Sequence, residues 1–280
     1  MAAATQPRPR FVLFGDSITQ QSFRPGGWGA RLADRYDRTA DIMNRGYSGY
    51  NTRWALRLLP SVFPKAAGAP TLVTILFGAN DAQRPTSKGH PPETDGLQHV
   101  PLDEYSKNLA EIIACVRSVG CSRVLLITPP PVDDPAWARF TNQKPPGLPA
   151  DTEPNRMMAV TATYAAACVK VGTETQTPVL DLNTLLSSRD GWRGLFSDGL
   201  HPNEAGGEAM NELIEEAIFT HYPELRPSFY DDEEAEGKMT LDFPDWKQLM
   251  QQRTPEAIDA AFAAHEEARV TAFRASGMLG

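Results

Sequence analysis

The sequence has no long hydrophobic run, few cysteines and no excess of positive charge. Nowhere in its 280 residues does an apolar stretch approach the roughly 18 consecutive residues that a membrane-spanning helix requires. The formal net charge is −8, and lysine and arginine are nowhere concentrated, whereas nucleic-acid phosphates need a clustered basic surface. We therefore expect neither a membrane span nor a nucleic-acid partner.

The N-terminal residues lack the features of a secretory signal. MAAATQPRPR meets the first apolar segment directly, without the hydrophobic stretch and cleavage site of a signal peptide. The three cysteines, Cys115, Cys121 and Cys168, are an odd number without metal-ligand spacing, and the chain has no Asn-x-Ser/Thr acceptor. These features predict a reducing, cytoplasmic location.

Short apolar segments alternate along the chain with segments of helical spacing. The predicted strands are residues 11–14, 41–44, 72–77, 123–128 and 178–182, and the predicted helices are residues 29–36, 52–59, 102–119, 155–171 and 204–220. Such alternation predicts an α/β fold with a mainly parallel sheet that is covered by helices on both faces. It also places functional residues at the carboxyl ends of the strands.

Two segments rich in proline and glycine, residues 83–100 and 129–154, follow predicted strands and are predicted to be long loops that shape a pocket. Residues 1–227 form the predicted main domain. Residues 228–280 form a C-terminal extension with an acidic linker at 231–236 and a helical segment at 255–273. Its apolar residues, which include Phe243 and Trp246, would form an apolar patch if they were left in water. We expect them to build a homodimer interface rather than pack on their own domain.

Ser17 lies in FVLFGDSIT, where an apolar strand runs into a glycine turn, so its hydroxyl lies just beyond the strand's carboxyl end. This is the position of a nucleophile. The alternative interpretation is a helix cap, because Asp and Ser are favoured before a helix. The motif alone does not decide between the two.

The segment SDGLHPN places Asp198 and His201 three residues apart in a turn rich in glycine and proline. An aspartate that accepts a hydrogen bond from the Nδ1–H of an imidazole fixes the tautomer in which Nε2 is free to take a proton from a serine. Of the five histidines, His201 is the one with an acidic residue at this spacing in a predicted strand-to-helix loop. We therefore predict that one loop delivers both residues to Ser17.

Gly46 in NRGYSGYNT and Asn80 in ILFGAND follow the second and third predicted strands. Ester hydrolysis develops negative charge on one oxygen, and each donor aimed at that oxygen is worth about 3–4 kcal/mol. The N–H groups of Ser17 and Gly46 and the side-chain amide of Asn80 are the candidate donors. Either of the latter two could instead be an ordinary turn residue.

These blocks occur in the order GDS, Gly, GxND and DxxH, and in this they resemble the GDSL/SGNH hydrolase family. NRGYSGYNTRWAL, QHVPLDEYSKNL, LLITPPP and FSDGLHPNEAGG look like its isoamyl acetate-hydrolysing esterase branch, as does the C-terminal pair HYPELRP and LDFPDW. The resemblance implies a flavodoxin-like three-layer α/β/α sandwich with a central parallel five-stranded sheet and a C-terminal helical extension. It also implies that Ser17 is the nucleophile, that His201 is the general base and that Asp198 orients the His201 imidazole. Ser17, Gly46 and Asn80 would be the oxyanion donors.

The resulting prediction is a serine esterase that hydrolyses short-chain carboxylic esters through an acyl-serine intermediate, with a small-molecule ester as partner and no metal or other cofactor. Lysophospholipase, thioesterase or carbohydrate acetylesterase activity on the same triad stays an alternative, because the pocket walls depend on the two loops. A non-catalytic binding protein would require a damaged catalytic set, whereas all five positions hold chemically competent residues.

Overall fold

The protein is built around a five-stranded, fully parallel sheet with the order β2-β1-β3-β4-β5. The computed structural model describes residues 8–85, 96–142, 153–227 and 239–277. The strands are β1 (Arg10–Gly15), β2 (Asp41–Gly46), β3 (Leu72–Leu76), β4 (Val124–Ile127) and β5 (Val179–Leu180). The predicted parallel α/β sheet is thus confirmed.

Helices cover both faces of the sheet. They are α1 (Ser17–Gln20), α2 (Trp28–Arg35), α3 (Thr52–Val62), α4 (Leu102–Ser118), α5 (Asp134–Asn142), α6 (Met158–Glu174), α7 (Leu182–Ser187), α8 (Glu204–His221), α9 (Trp246–Met250) and α10 (Pro255–Ala275). Short 3-10 turns occur at Gln21–Phe23, Lys65–Ala67, Trp192–Leu195 and Pro223–Leu225. Helices α2, α7 and α8 pack on one face, and α3, α4 and α6 pack on the other.

The side chains of β1 alternate between two hydrophobic cores. Phe11 and Leu13 belong to the core beneath α2 and α8, whereas Val12 and Phe14 belong to the core beneath α3, α4 and α6. Successive residues of a strand point to opposite faces, so a strand covered on both sides must be apolar throughout. This double burial explains the continuous apolar run FVLF and places β1 at the centre of the sheet.

Two predicted elements require correction. The segment 129–154 is not all loop, because helix α5 occupies Asp134–Asn142, with Trp137 and Phe140 packed against each other at 5.6 Å between ring centroids. Its Pro135 lies in the first turn, where a proline removes no helical hydrogen bond. The last strand is shorter than residues 178–182, because Asp181 caps α7 through the N–H of Thr184. Residues 86–95 and 143–152 of the two predicted loops lie outside the described residues.

The C-terminal extension packs against the main domain. Met239 joins the core beneath α8, and Phe273 of α10 is fully buried. The carboxylate of Asp242 lies between the guanidinium groups of Arg8 and Arg38, with its Oδ2 2.7 Å from Arg8 Nε and its Oδ1 3.2 Å from Arg38 Nε. The extension therefore contributes to the fold of the chain, while the predicted acidic linker lies outside the described residues.

None of the helices in the four described ranges combines the length and the hydrophobicity needed to cross a bilayer.

Candidate active site

The candidate residues meet at the carboxyl edge of the sheet. Ser17 follows β1, Gly46 ends β2, and Asn80 follows β3, and the strand order places β1 between the other two. The turn that carries Asp198 and His201 precedes α8 and is closed by a hydrogen bond from the Ser197 N–H to the His201 carbonyl. The sheet topology thus brings together residues that are up to 184 positions apart in sequence.

Ser17 is the first residue of α1, and Asp16 is its cap. The Asp16 Oδ1 accepts a hydrogen bond from the Ile18 N–H at 2.9 Å. The predicted alternative, a capping role for Ser17, therefore does not apply, because Asp16 fills it and the Ser17 hydroxyl pairs elsewhere. Within the described residues the Ser17 N–H donates no hydrogen bond to the protein, so it is available to a bound molecule.

Ser17, His201 and Asp198 form a continuous hydrogen-bonded chain. The Ser17 Oγ lies 2.9 Å from His201 Nε2, and His201 Nδ1 lies 2.7 Å from Asp198 Oδ2. The second oxygen of Asp198 accepts the backbone N–H groups of His201 at 2.7 Å and of Leu200 at 2.9 Å. An imidazole held in this way can accept the serine proton on Nε2.

The charge of Asp198 is maintained by its hydrogen bonds. Burial acts to raise the pKa of this carboxyl, but the hydrogen bonds from the His201 ring and from the His201 and Leu200 backbone outweigh burial and lower it. Asp198 is therefore a carboxylate at neutral pH. Gly199, between the two residues, has φ +91°, and a Cβ there would lie 2.6 Å from the Asp133 carbonyl oxygen, so the turn requires glycine.

The remaining histidines that the structure describes are engaged elsewhere or lie away from Ser17. His99 Nδ1 pairs with the Gln83 carbonyl at 2.8 Å, and His265 Nε2 pairs with the Leu241 carbonyl at 2.9 Å. His221 packs beside Tyr222 at the end of α8, and His90 lies outside the described residues. Among the described histidines, His201 is the one that contacts Ser17.

Gly46 does not offer a free N–H group, contrary to the prediction. Its amide donates to the Asn44 Oδ1 at 2.8 Å, while the Asn44 Nδ2 donates to the Thr19 carbonyl at 2.9 Å. A Cβ on Gly46 would lie 2.0 Å from the Gln20 nitrogen. Glycine is thus required at this position because β2 and α1 approach closely, which is a structural reason rather than a catalytic one.

Gly49, three residues further along NRGYSGYNT, has the free amide that Gly46 lacks. Within the described part of the chain its N–H donates no hydrogen bond to the protein, and its φ of +80° lies in the left-handed region that favours glycine. Its carbonyl accepts the Gln98 Nε2 at 2.7 Å, and the carbonyl of Tyr50 accepts the Asn80 Nδ2 at 2.9 Å. Gly49 therefore lies on a segment that the Asn80 side chain holds in place.

Arg156 is a second residue that the sequence pattern did not indicate. Its side chain is buried just before α6 and hydrogen-bonds to Asn80 and Gln98. The two glycines of NRGYSGYNT were a visible signal for Gly49, because both lie close behind the second strand. A single arginine just after a proline-rich stretch carries no comparable signal for Arg156.

Two buried aspartates flank the site without joining the Ser17 chain. Burial raises the pKa of Asp81 to about 7, against the Thr52 hydrogen bonds that lower it, and burial raises the pKa of Asp16 to about 6. The Asp81 Oδ1 accepts both the N–H of Thr52 at 2.9 Å and its hydroxyl. Asp81 thus holds the first turn of α3 against the loop after β3.

Replacing Asp81 by asparagine should change how stability depends on pH. A folded-state pKa of about 7, above the ordinary 3.8, means that the folded protein retains a proton that the unfolded chain loses. This contribution to stability is complete below about pH 4 and is lost as the pH rises through about 7. The difference between these two pKa values corresponds to roughly 4 kcal/mol of unfolding free energy at most. Asp81→Asn should remove this pH-dependent contribution.

The measurement is the free energy of unfolding by urea at half-unit steps between pH 4 and pH 8. Asp103, an exposed aspartate on α4 that pairs only with Lys107, provides the matched control as Asp103→Asn. The same decline with pH in Asp81→Asn as in the unmodified protein would contradict the assignment.

No group of three or more His, Cys, Asp or Glu side chains in the described ranges is arranged to hold a metal ion. The groups that meet at Ser17 are a hydroxyl, an imidazole and a carboxylate in hydrogen-bond contact.

Comparisons with known proteins give the relatives of this chain. Residues 13–209 match the model of the GDSL-like lipase/acylhydrolase family. The chain is 43% identical over 242 residues to the isoamyl acetate-hydrolyzing esterase 1 homolog of Rattus norvegicus, covering 83% of this chain and 92% of the relative. It is 41% identical over 241 residues to the Homo sapiens protein of the same name, with the same coverage.

A solved structure of the lipase/acylhydrolase from Enterococcus faecalis superposes with a TM-score of 0.57 at 24% identity, covering 76% of this chain and 96% of that one. This likeness concerns the fold. The family match covers well over half of the chain, and the predicted resemblance is confirmed: the protein is an esterase-type enzyme that belongs to the GDSL-like lipase/acylhydrolase family.

Proposed function

We propose that the protein hydrolyses short-chain carboxylic esters of the acetate type through an acyl-serine intermediate. The observation that carries this proposal is the hydrogen-bonded chain from the Ser17 Oγ through His201 to Asp198. A serine hydroxyl is a weak nucleophile until a base takes its proton, and His201 lies at the distance that this transfer requires.

In the proposed reaction the Ser17 Oγ attacks the ester carbonyl carbon while its proton passes to His201 Nε2. Asp198 stabilises the imidazolium that forms, because its carboxylate accepts a hydrogen bond from the Nδ1–H group. The tetrahedral intermediate then expels the alcohol, which takes the proton from His201. A water molecule, deprotonated by the same imidazole, attacks the acyl-serine and releases the carboxylic acid and free Ser17.

The negative oxygen of the tetrahedral intermediate needs donors that are in place before the reaction. We assign this role to the N–H of Ser17, the Nδ2 group of Asn80 and the N–H of Gly49. The Asn80 Nδ2 carries two protons, of which one goes to the Tyr50 carbonyl, so the other is left for the substrate. Gly49 replaces Gly46 in this role, because the Gly46 amide already donates to Asn44.

The preference for acetate-type esters is supported by relatives that bear the name isoamyl acetate-hydrolyzing esterase 1 homolog. Lysophospholipase, thioesterase and carbohydrate acetylesterase activities use the same triad chemistry and are the alternatives. A panel should therefore compare nitrophenyl esters from acetate to decanoate with isoamyl acetate, acetyl-CoA, acetylated xylose and lysophosphatidylcholine. We expect kcat/KM to be highest for the acetate and butyrate esters of simple alcohols, and a higher value for any other member of the panel would overturn the proposed substrate class.

We propose that residues 1–227 carry the catalytic machinery and that residues 228–280 form an extension to it. Every residue assigned a role in the reaction lies before residue 202.

The cytoplasmic location that we propose is supported by the state of the three cysteines, which are free thiols. Burial raises the pKa of Cys121 to about 11 and that of Cys168 to about 12, so both remain protonated and unreactive.

We also propose that the extension supports a homodimer. Ten large hydrophobic side chains of the described residues are exposed, and five of them form what we call the extension patch: Phe243, Trp246, Met250, Ile258 and Phe262. Phe243 and Phe262 pack against each other at 6.1 Å between ring centroids, so the extension patch includes two adjacent aromatic rings. Exposed apolar patches mark interaction sites in soluble proteins, and aromatic side chains are enriched at interface centres.

Trp246→Ser combined with Met250→Ser tests the dimer without disturbing the buried anchors Met239 and Phe273. Sedimentation equilibrium should give twice the chain mass for the unmodified protein and a lower apparent mass for the double variant. Leu97→Ser, which removes an exposed leucine outside the extension, is the control. A single-chain mass for the unmodified protein at micromolar concentration would exclude the dimer.

A further inference from the structure

Arg156 is a buried cation beside the candidate active site. Its side chain is 5% exposed and lies 5.0 Å from the Trp137 ring centroid. The Nε donates to the Ala79 carbonyl at 3.1 Å, and a single nitrogen, Nη2, donates to the Asn80 Oδ1 at 2.7 Å and to the Gln98 Oε1 at 2.6 Å. A buried guanidinium costs free energy unless its donors are satisfied, and here three acceptors take three of its five N–H groups.

Both side chains held by Nη2 continue to the same stretch of backbone. Asn80 donates to the Tyr50 carbonyl at 2.9 Å, and Gln98 donates to the Gly49 carbonyl at 2.7 Å. The guanidinium thus joins the loop after β3 to the loop after β2 through two side-chain amides. These loops carry the two oxyanion donors that do not belong to α1.

The positive charge also acts on the donor strength of Asn80. A cation that hydrogen-bonds to the oxygen of an amide draws electron density from its nitrogen, and linked hydrogen bonds polarise one another in this way. The remaining proton of the Asn80 Nδ2 is then a stronger donor to a developing anion. Burial lowers the pKa of Arg156 to about 10, against the charges of Asp16 and Asp198, so the group stays protonated at neutral pH.

We propose that Arg156 is a positioning residue for the oxyanion site: through Asn80 and Gln98 it holds the Asn80 amide and the Gly49 N–H in place and polarises the amide. This inference rests on the proposed function of the same site. It assigns Arg156 no contact with substrate. Its effect should therefore appear in kcat rather than in KM, because the oxyanion exists only in the transition state and the intermediate.

Arg156→Lys keeps the charge but cannot reach three acceptors as a planar fork does. We expect it to lower kcat for nitrophenyl acetate by roughly 10- to 100-fold, with KM within about threefold of the unmodified value. Gln98→Met, a substitution of similar length, breaks the branch to Gly49 and should lower kcat by about tenfold. If Arg156→Lys fails to fold, as judged by near-UV circular dichroism, the kcat of Gln98→Met alone tests the proposal.

The decisive measurement is Arg156→Lys in the Asn80→Ala background. If Arg156 acts partly through Asn80, the loss in kcat of the double variant falls short of the product of the single losses by at least about fivefold. Losses that multiply, or a rise in KM at constant kcat, would overturn the proposal. So would a kcat within threefold of the unmodified value in Gln98→Met.

Arg84→Met is the matched control. Arg84 also lies at this edge, but its side chain forms a partly exposed ion pair with Glu153, and its loss should leave kcat unchanged within a factor of two. Fluorophosphonate labelling of every variant, with Ser17→Ala as the blank, tests the proposed function separately from the proposed role of Arg156. If the unmodified protein is not labelled at Ser17, the proposed function fails, whereas normal labelling with unchanged kcat in the variants contradicts only the role of Arg156.

Discussion

Replacing Ser17 by alanine should lower kcat for ester hydrolysis by roughly 10⁴- to 10⁶-fold, and replacing His201 by alanine should cost a similar factor. The residues of a nucleophile–base chain act as a unit, so removing either one removes nearly the whole effect. The fold should persist, because the Ser17 Oγ pairs with His201 while α1 is capped by Asp16. The residual rate in both variants would come from binding and the oxyanion donors.

Single-turnover kinetics with nitrophenyl acetate and labelling by a fluorophosphonate measure this loss. The variant that combines Ser17→Ala with His201→Ala should be no slower than either single variant. Ser48→Ala is the matched control. Ser48 lies in GYSGY, which resembles the G-x-S-x-G nucleophile motif of α/β-hydrolases but lacks its final glycine. Its side chain is exposed, and its hydrogen bond to Gln20 Oε1 comes from the backbone N–H. Turnover in Ser17→Ala close to that of the unmodified protein would remove the nucleophile assignment.

Asn80→Ala should lower kcat by about 10²- to 10³-fold with a smaller change in KM, because one donor to the tetrahedral oxygen is lost while backbone donors remain. The substitution also leaves the Tyr50 carbonyl without its Asn80 donor and removes one of the three acceptors of the Arg156 guanidinium. A fall in thermal stability should therefore accompany the loss of activity.

Asn80→Asp distinguishes the donor role from the structural one. An aspartate keeps an oxygen for Arg156, but it replaces the Nδ2 donor by an acceptor and brings negative charge towards the developing anion. We expect it to be at least as slow as Asn80→Ala although it is more stable than that variant. Activity of Asn80→Ala within threefold of the unmodified protein, or faster turnover in Asn80→Asp, would show that Asn80 serves the fold alone.

Local sequence was sufficient where the determining interactions are themselves local. The apolar run before Gly15 predicted β1, because a strand buried on both faces has no position for a polar side chain. Asp198 and His201 were predicted to lie together because they are three residues apart in one turn. Alternating strands and helices predicted the parallel sheet, and a parallel sheet brings the residues after its central strands to one edge.

Local sequence was insufficient where two segments distant in the chain meet. Both glycines of NRGYSGYNT could present an amide to the oxyanion. The choice between them depends on Asn44, whose side-chain oxygen accepts the Gly46 N–H while its Nδ2 donates to the Thr19 carbonyl of α1. Helix α5 was not predicted, because prolines surround it in the sequence. Its Trp137 packs against Arg156, a contact that no local pattern indicates.

The sequence by itself determined the strand pattern, the turn that carries Ser17 after β1 and the Asp-His turn before α8, because each depends on neighbours within a few residues. The tertiary structure alone decided which glycine amide is free and that Arg156 ties Asn80 to Gln98. It also decided that Asp242 lies between Arg8 and Arg38. The contacts of Arg156 and Asp242 join residues more than 50 positions apart in the chain. The Asn44 side chain that takes up the Gly46 N–H is itself held by the Thr19 carbonyl, 25 positions away. Such partners are selected by burial and by the need to satisfy buried polar groups, which no local pattern records.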